Sequence, residues 1–145
     1  MTTLLTGATG FVGSAVARVL LARGHDLRLL ARPGSNRGNL AGLAAEIVEG
    51  DLRDAESLRR ACAGCRFVLH VAADYRLWVR DPDAMLRANV DGTVTLLRAA
   101  RDAGAERIVY CSSVAALGLT ADGTPADETT PVDPAKIAGI YKQSK

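Results

Sequence analysis

The chain opens, one residue after Met1, on Thr2-Thr3-Leu4-Leu5-Thr6-Gly7-Ala8-Thr9-Gly10-Phe11-Val12-Gly13-Ser14. A strand-like run, Thr2–Thr6, passes into glycines at every third position, Gly7, Gly10 and Gly13, and the pattern predicts a helix over Phe11–Arg23. A helix entered this way starts with backbone N–H groups that have no partner inside the helix. The first glycine allows a sharp turn, the second lets the backbone approach a ligand, and the third lets helix and strand pack closely. Such a turn suits a pyrophosphate resting on the helix N-terminus. A glycine triplet alone is weak evidence. Here it stands at the first strand–helix junction, the context that dinucleotide binding requires.

Outward from that turn the pattern alternates. Strands are expected at Thr2–Thr6, Leu27–Ala31, Glu46–Glu49, Phe67–Ala72 and Arg107–Cys111. Helices are expected at Phe11–Arg23, Asp54–Ala61 and Asp83–Ala103, the last with Leu86, Val90, Val94 and Leu97 on one apolar face. Asp81-Pro82 reads as its cap and first-turn proline. Short apolar strands alternating with amphipathic helices imply a doubly wound α/β domain, a parallel sheet covered on both faces. Leu119–Ala138, rich in Thr, Asp and Pro, is the one long irregular stretch.

Composition narrows the function. With 145 residues, 48% hydrophobic and 23% charged, the chain is long enough for one core. Its net charge of +2 comes from scattered basic residues, which argues against a nucleic-acid partner. No apolar run approaches a membrane span, and the start lacks the regions of a signal peptide, so a cytoplasmic location is expected. Cys62 and Cys65 have C-x-x-C spacing but no second ligand pair, and they close a helix rather than open one. They are read as structural, and no metal is expected. His70 is read as filling space at a strand end, and His25 as a solvated loop residue.

The end of the second strand bears on which dinucleotide is bound. An NAD site usually carries an acid about 20 residues beyond the glycines, against the adenosine ribose. Here the strand ends in Ala31-Arg32, with Ser35 and Arg37 following. A basic group there suits a 2′-phosphate, so NADP is expected, with NAD as the alternative.

The last residues, Tyr141-Lys142-Gln143-Ser144-Lys145, place a Tyr and a Lys four apart, on one helix face. Free tyrosine titrates at about pH 10. A neighbouring ammonium and an oxidised nicotinamide favour the phenolate. Asn89 in mid-helix is a poor choice on propensity, which points to a polar role. Tyr75, Arg76 and Trp78 follow the fourth strand on the carboxyl side of the sheet, as substrate contacts or as a cover for the core edge.

Together these motifs resemble the extended short-chain dehydrogenase/reductase family, the NAD-dependent epimerases and dehydratases. The likeness covers the whole chain and keeps the family's order. The turn Gly7-Ala8-Thr9-Gly10-Phe11-Val12-Gly13 resembles its cofactor turn, Asp51-Leu52 its adenine-contacting pair, and His70–Ala73, with Ala72 and Ala73, its fourth-strand cofactor wall. Asn89 resembles the asparagine that supports the active-site lysine. Ser113 in Cys111–Ser113 resembles the fifth-strand serine, and Tyr141 with Lys145 the Tyr-x-x-x-Lys pair.

Within the family the chain is most similar to hopanoid-associated sugar epimerases and the dihydroflavonol-4-reductase-like group. The resemblance implies a Rossmann domain over residues 1–145 and a catalytic set of Ser113, Tyr141, Lys145 and Asn89. Arg32, Tyr141 and Lys145 would also bind cofactor. The implied activity is NADP-dependent oxidoreduction of a carbonyl or alcohol on a nucleotide-sugar or similar small molecule. Redox-neutral epimerisation or dehydration, and a non-catalytic NADP(H)-binding module, are the alternatives. Family members continue beyond the lysine into a substrate domain, so the chain reads as the N-terminal part of a longer enzyme. A homodimer is the partner to test.

Overall fold

The computed structural model describes residues 1–145, residue 134 by its backbone alone. Five parallel strands, β1 (Thr2–Thr6), β2 (Asp26–Ala31), β3 (Glu46–Glu49), β4 (Phe67–His70) and β5 (Arg107–Tyr110), form one sheet in the order β3-β2-β1-β4-β5. Thr6 lies in register with Leu30 on one side and His70 on the other. The order reverses direction at β1, which opens a crevice between the carboxyl ends of β1 and β4. The glycine turn sits there. The doubly wound α/β fold expected from the alternation is the fold observed.

Strand 4 ends at His70 rather than Ala72, because side chains take over its backbone. The Ala72 N–H donates to Thr6 Oγ1 at 3.2 Å, and the Asp74 N–H to Asn89 Oδ1 at 2.7 Å. These residues leave the ladder to line the crevice.

The helices are α1 (Phe11–Ala22), α2 (Ala55–Cys62), α3 (Pro82–Leu86), α4 (Gly92–Asp102) and the single turn α5 (Ile140–Gln143). Asp54 caps α2 by accepting from the N–H groups of Glu56 and Ser57, and Asp81 caps α3, with Pro82 in the first turn. The helix expected over Asp83–Ala103 is interrupted. A wide π-turn, Arg87–Asp91, joins α3 to α4. Its extra residue shifts the helical face, and the expected apolar stripe is corrected accordingly. Met85, Asn89, Gly92, Thr93, Leu96, Ala99 and Ala100 point inward, while Val90 and Val94 are 39% and 40% exposed. Gly92 has no room for a side chain, since a Cβ there would stand 2.7 Å from that of Leu52.

Alternation along the strands divides the core. Leu4, Leu30 and Val68 pack against α2 and α4 on one face, with Leu58 and Leu96. Leu5, Leu27 and Leu29 pack on the other face against Ala17 of α1 and Leu40. Within Leu119–Ala138, the one helical piece among the described residues is a 3-10 turn at Pro134–Lys136. Gly118 abuts the Pro131 carbonyl, so this loop folds back on its own start.

Candidate active site

The glycine turn has the shape its sequence implies. Gly7 has φ +76°, and a Cβ on it would stand 2.6 Å from the Ala72 nitrogen, so the end of β1 lies directly against the strand-4 wall. A Cβ on Gly13 would stand 2.1 Å from the Gly7 carbonyl oxygen, so α1 begins in contact with the turn. Gly10 is the N-cap of α1 and provides no side-chain cap. The first N–H groups of α1 therefore keep their capacity to donate, in the positive field of a helix N-terminus. This cradle fits a dinucleotide pyrophosphate. Phe11 and Val12, expected to touch cofactor, are 88% and 52% exposed at the start of α1. Thr9 is braced by Asn39, whose Nδ2 donates to the Thr9 carbonyl at 2.8 Å. Asn39 escaped the sequence reading, because only the fold brings the Gly38–Leu40 turn beside the glycines.

At the carboxyl ends of β2 and β3 stands a group of charges. Arg32 is exposed and, among the described residues, makes no side-chain hydrogen bond or ion pair. Ser35 donates its hydroxyl to the Arg32 carbonyl at 2.7 Å, and Arg37 is ion-paired with Glu49. Asp51 accepts from Arg53 through Nε (2.9 Å), a terminal guanidinium nitrogen (2.8 Å) and the backbone N–H (2.9 Å). Those contacts, with Arg32 nearby, hold its carboxyl at about 2. Asp74 is likewise lowered, first by Arg76 and more weakly by Arg32. Leu52 is half-buried against Gly92, which ties the Asp51-Leu52 pair to α4.

Asn89 has the polar role its position suggested. It is 2% exposed in the π-turn. Its Nδ2 donates to the Asp74 carbonyl at 2.7 Å and to Ser144 Oγ at 2.9 Å, and its Oδ1 accepts from Asp74. One side chain thus holds both the loop after β4 and the residue before Lys145. Ala72 and Ala73 are half-buried beside it.

The expected catalytic set lies at the same end of the sheet, without mutual hydrogen bonds. Ser113 is half-buried and accepts from the Ala115 N–H at 3.2 Å, while Ser112 is exposed. Lys145 Nζ donates to Tyr110 Oη at 3.2 Å and to the Cys111 carbonyl at 3.1 Å, and lies 4.9 Å from the Tyr110 ring centre. Among the described residues the Tyr141 hydroxyl makes no hydrogen bond. Sequence reading missed Tyr110, since nothing in the local pattern says which strand residue the lysine will meet. Cys62 and Cys65 are both buried. Burial pushes the Cys62 thiol up to about 11, and Cys65 lies 3.4 Å from a guanidinium nitrogen of Arg28.

A parallel sheet ordered 3-2-1-4-5, with a glycine-lined helix start at its switch point, defines a Rossmann-type dinucleotide-binding domain. Residues 3–145 match the NAD dependent epimerase/dehydratase family, and the chain belongs to that family. Among curated proteins it is 47% identical over 141 residues to a Synechocystis chain named, provisionally, as a dihydroflavonol 4-reductase. That match covers 97% of this chain and 41% of the relative. Among solved structures, that of gox2253 is 63% identical with a TM-score of 0.92, covering 99% of this chain and 43% of the other. A Thermus thermophilus UDP-glucose 4-epimerase in complex with NAD is 30% identical with a TM-score of 0.83, covering 100% of this chain and 47% of the other. The chain thus spans less than half the length of these relatives.

Proposed function

We propose that this chain is the cofactor-binding part of a longer NAD(P)-dependent oxidoreductase acting on a carbonyl or alcohol of a nucleotide-sugar or similar substrate. The observation that carries the reading is the uncapped start of α1 behind the glycine turn, set against Ala72 at the switch point. The N–H groups of that helix would hold the pyrophosphate. Asp51 and Leu52 would border the adenine, and Ala72 and Ala73 would line the wall toward the nicotinamide. When bound, the cofactor supplies hydride exchange with the substrate carbon.

The chain's own residues would manage the proton. Tyr141 would exchange it with the substrate oxygen, Ser113 would donate a hydrogen bond to that oxygen, and Lys145 would supply the cation that favours phenolate. Asn89 would position Lys145 through Ser144. Net reduction and redox-neutral epimerisation use the same three groups, and release of oxidised cofactor separates them. Lys145 resting on Tyr110 favours a second reading, a dinucleotide-binding module without catalysis. The test is Tyr141→Phe in a chain as long as its relatives. Turnover should fall by about two to four orders of magnitude, with cofactor affinity little changed. Unaltered turnover would remove Tyr141 from the chemistry, and cofactor binding without turnover in the unsubstituted chain would leave the binding-module reading in place.

Arg32 supports a preference for NADP over NAD, because its guanidinium is exposed and unpaired among the described residues, whereas Arg37 is engaged by Glu49. Titration of both dinucleotides should show NADP(H) binding more tightly. In Arg32→Ala, loss of a charge-assisted contact should weaken NADP(H) alone, by about 1.5–3 kcal/mol. Equal wild-type affinities would assign Arg32 to the solvated surface.

No helix among the described residues is long and apolar enough to cross a membrane. A cytoplasmic location fits the proposed chemistry. A homodimer through the half-exposed Val90 of the π-turn and Val94 of α4 is the proposed assembly.

A further inference from the structure

His70 is fully buried, and each ring nitrogen meets a threonine hydroxyl: Nδ1 is 2.7 Å from Thr6 Oγ1 and Nε2 is 2.9 Å from Thr93 Oγ1. The directions of these bonds follow from their outer partners. The Asn89 carbonyl can only accept, so Thr93 spends its one hydroxyl hydrogen on it, at 2.5 Å. Thr93 Oγ1 must then accept from His70, which places a proton on Nε2. At the other end the Ala72 N–H donates to Thr6 Oγ1 at 3.2 Å. The Thr6 hydroxyl hydrogen remains free for Nδ1, which carries none in a neutral ring already protonated on Nε2. The opposite neutral tautomer would set two lone pairs against each other at Thr93. The doubly protonated ring would strand the Thr6 hydrogen in a site that excludes water.

One chain of hydrogen bonds therefore runs in a single direction. It passes from the Ala72 N–H through Thr6, His70 and Thr93 to the Asn89 carbonyl. It begins on the wall touching Gly7 and ends on the residue that holds Ser144 beside Lys145. We propose that His70 is a positioning residue: a neutral imidazole protonated on Nε2 that fixes the strand-4 cofactor wall relative to the π-turn and, through Asn89, to Lys145. The proposal rests on the functional reading above, in which those two places border the nicotinamide. The charged or titratable groups near His70 are Tyr110, stacked on it with ring centres 5.3 Å apart, and Lys145, whose Nζ lies 4.9 Å from the centre of that tyrosine ring. The partners from β1, the π-turn and α4 are uncharged. A cation beside Tyr110 and the absence of a carboxylate among these partners both favour the neutral ring.

Nitrogen-15 imidazole spectra of the 145-residue chain should show His70 as the Nε2–H tautomer from about pH 7 down to about pH 5, with exposed His25 as internal reference. A histidine that merely filled space would show mixed tautomers, and that result would overturn the proposal. In His70→Leu the Ala72 amide and Asn89 carboxamide hydrogens should exchange roughly tenfold faster. Leu58→Ala, a core cavity away from this chain, should not single them out. If His70→Leu fails to fold, Thr93→Val removes the same link and should give the same pattern at Asn89.

Saturation-transfer contacts to bound NADP(H) complete the test. His70→Leu should keep the contacts to adenine protons and lose those to nicotinamide protons, and His70→Gln, which retains an N–H donor, should recover part of them. Unchanged nicotinamide contacts in His70→Leu would overturn the positioning role. Failure of the wild-type chain to bind either dinucleotide would overturn the functional reading and the positioning role with it, while the tautomer would still report the hydrogen-bond chain itself.

Discussion

Gly13 tolerates no side chain, because the atom it would meet at 2.1 Å is the Gly7 backbone oxygen, which no rotamer can move. Gly13→Ala should therefore push α1 away from the turn. The expected cost is about 3 kcal/mol or more in urea unfolding, together with loss of dinucleotide binding in titration. His70 makes a separate prediction about acid. Burial, and secondarily the charge of Lys145, lower its folded-state value from 6.5 to about 4. Between those values the unfolded chain binds the extra proton and the folded chain does not, so stability rises with pH there. The contribution is complete above about 6.5 and is lost as pH falls toward about 4, a change approaching about 3 kcal/mol. Urea midpoints across that range should slope upward with pH, and the His70-dependent part of the slope should vanish in His70→Leu.

At the scale of elements, Arg28 of β2 has tasks that its position in an apolar run conceals. One guanidinium nitrogen donates to the Ala61 and Ala63 carbonyls at 2.9 and 2.7 Å, closing the C-terminal end of α2, and Nε pairs with Glu46 at 2.8 Å. Arg28→Met should keep the stem's packing yet cost about 0.5–1.5 kcal/mol, since the Ala61 carbonyl would keep only the weak Cys65 thiol donor at 3.3 Å and the exposed Ala63 carbonyl would turn to water; thermal unfolding would measure it. The α4 face is a sharper test. Leu96→Ala should cost about 2–5 kcal/mol, whereas Val94→Ala should cost about 1 kcal/mol or less.

The sequence pattern placed Val94 inward, and the reason it misled is physical. The true inward face carries Asn89 and Thr93, polar residues satisfied by Asp74, Ser144 and His70, so it does not look apolar. The π-turn also adds a residue that no periodicity count can anticipate. Strand positions, the cap at Asp81 and the glycine turn were legible because each depends on neighbours in the chain. The partnership of Lys145 with Tyr110 and the brace from Asn39 depend on the fold, and the local pattern carries no signal for them.

Across the whole molecule the two sheet faces are unequally covered. On one face α2 and α4 reach from β2 to β5, where Ile108 packs against the cluster around Val68. On the other, α1 covers β1 and β2, while Thr3, Leu20, Phe67, Leu69 and Val109 line an open groove above β4 and β5. Val109 is 51% exposed there, beside its ladder partner Leu69, whereas Val68 on the opposite face is wholly buried. A parallel strand with one apolar face in water is an incomplete layer. In a protein as long as its relatives, further chain lying over this groove would complete it.

Valine-to-threonine changes separate the cases, because they keep shape and swap a methyl for a hydroxyl. In the 145-residue chain Val68→Thr should cost about 1–3 kcal/mol, the penalty for a buried hydroxyl without a partner. Val109→Thr should cost about 0.5 kcal/mol or less there, since water can reach the hydroxyl. In the longer chain the Val109→Thr cost should rise to the level of Val68→Thr, while the Val68→Thr cost stays where it was. Urea unfolding of both variants in both chains would measure this. A Val109→Thr cost that stays small in the longer chain would mean that the groove remains open to solvent.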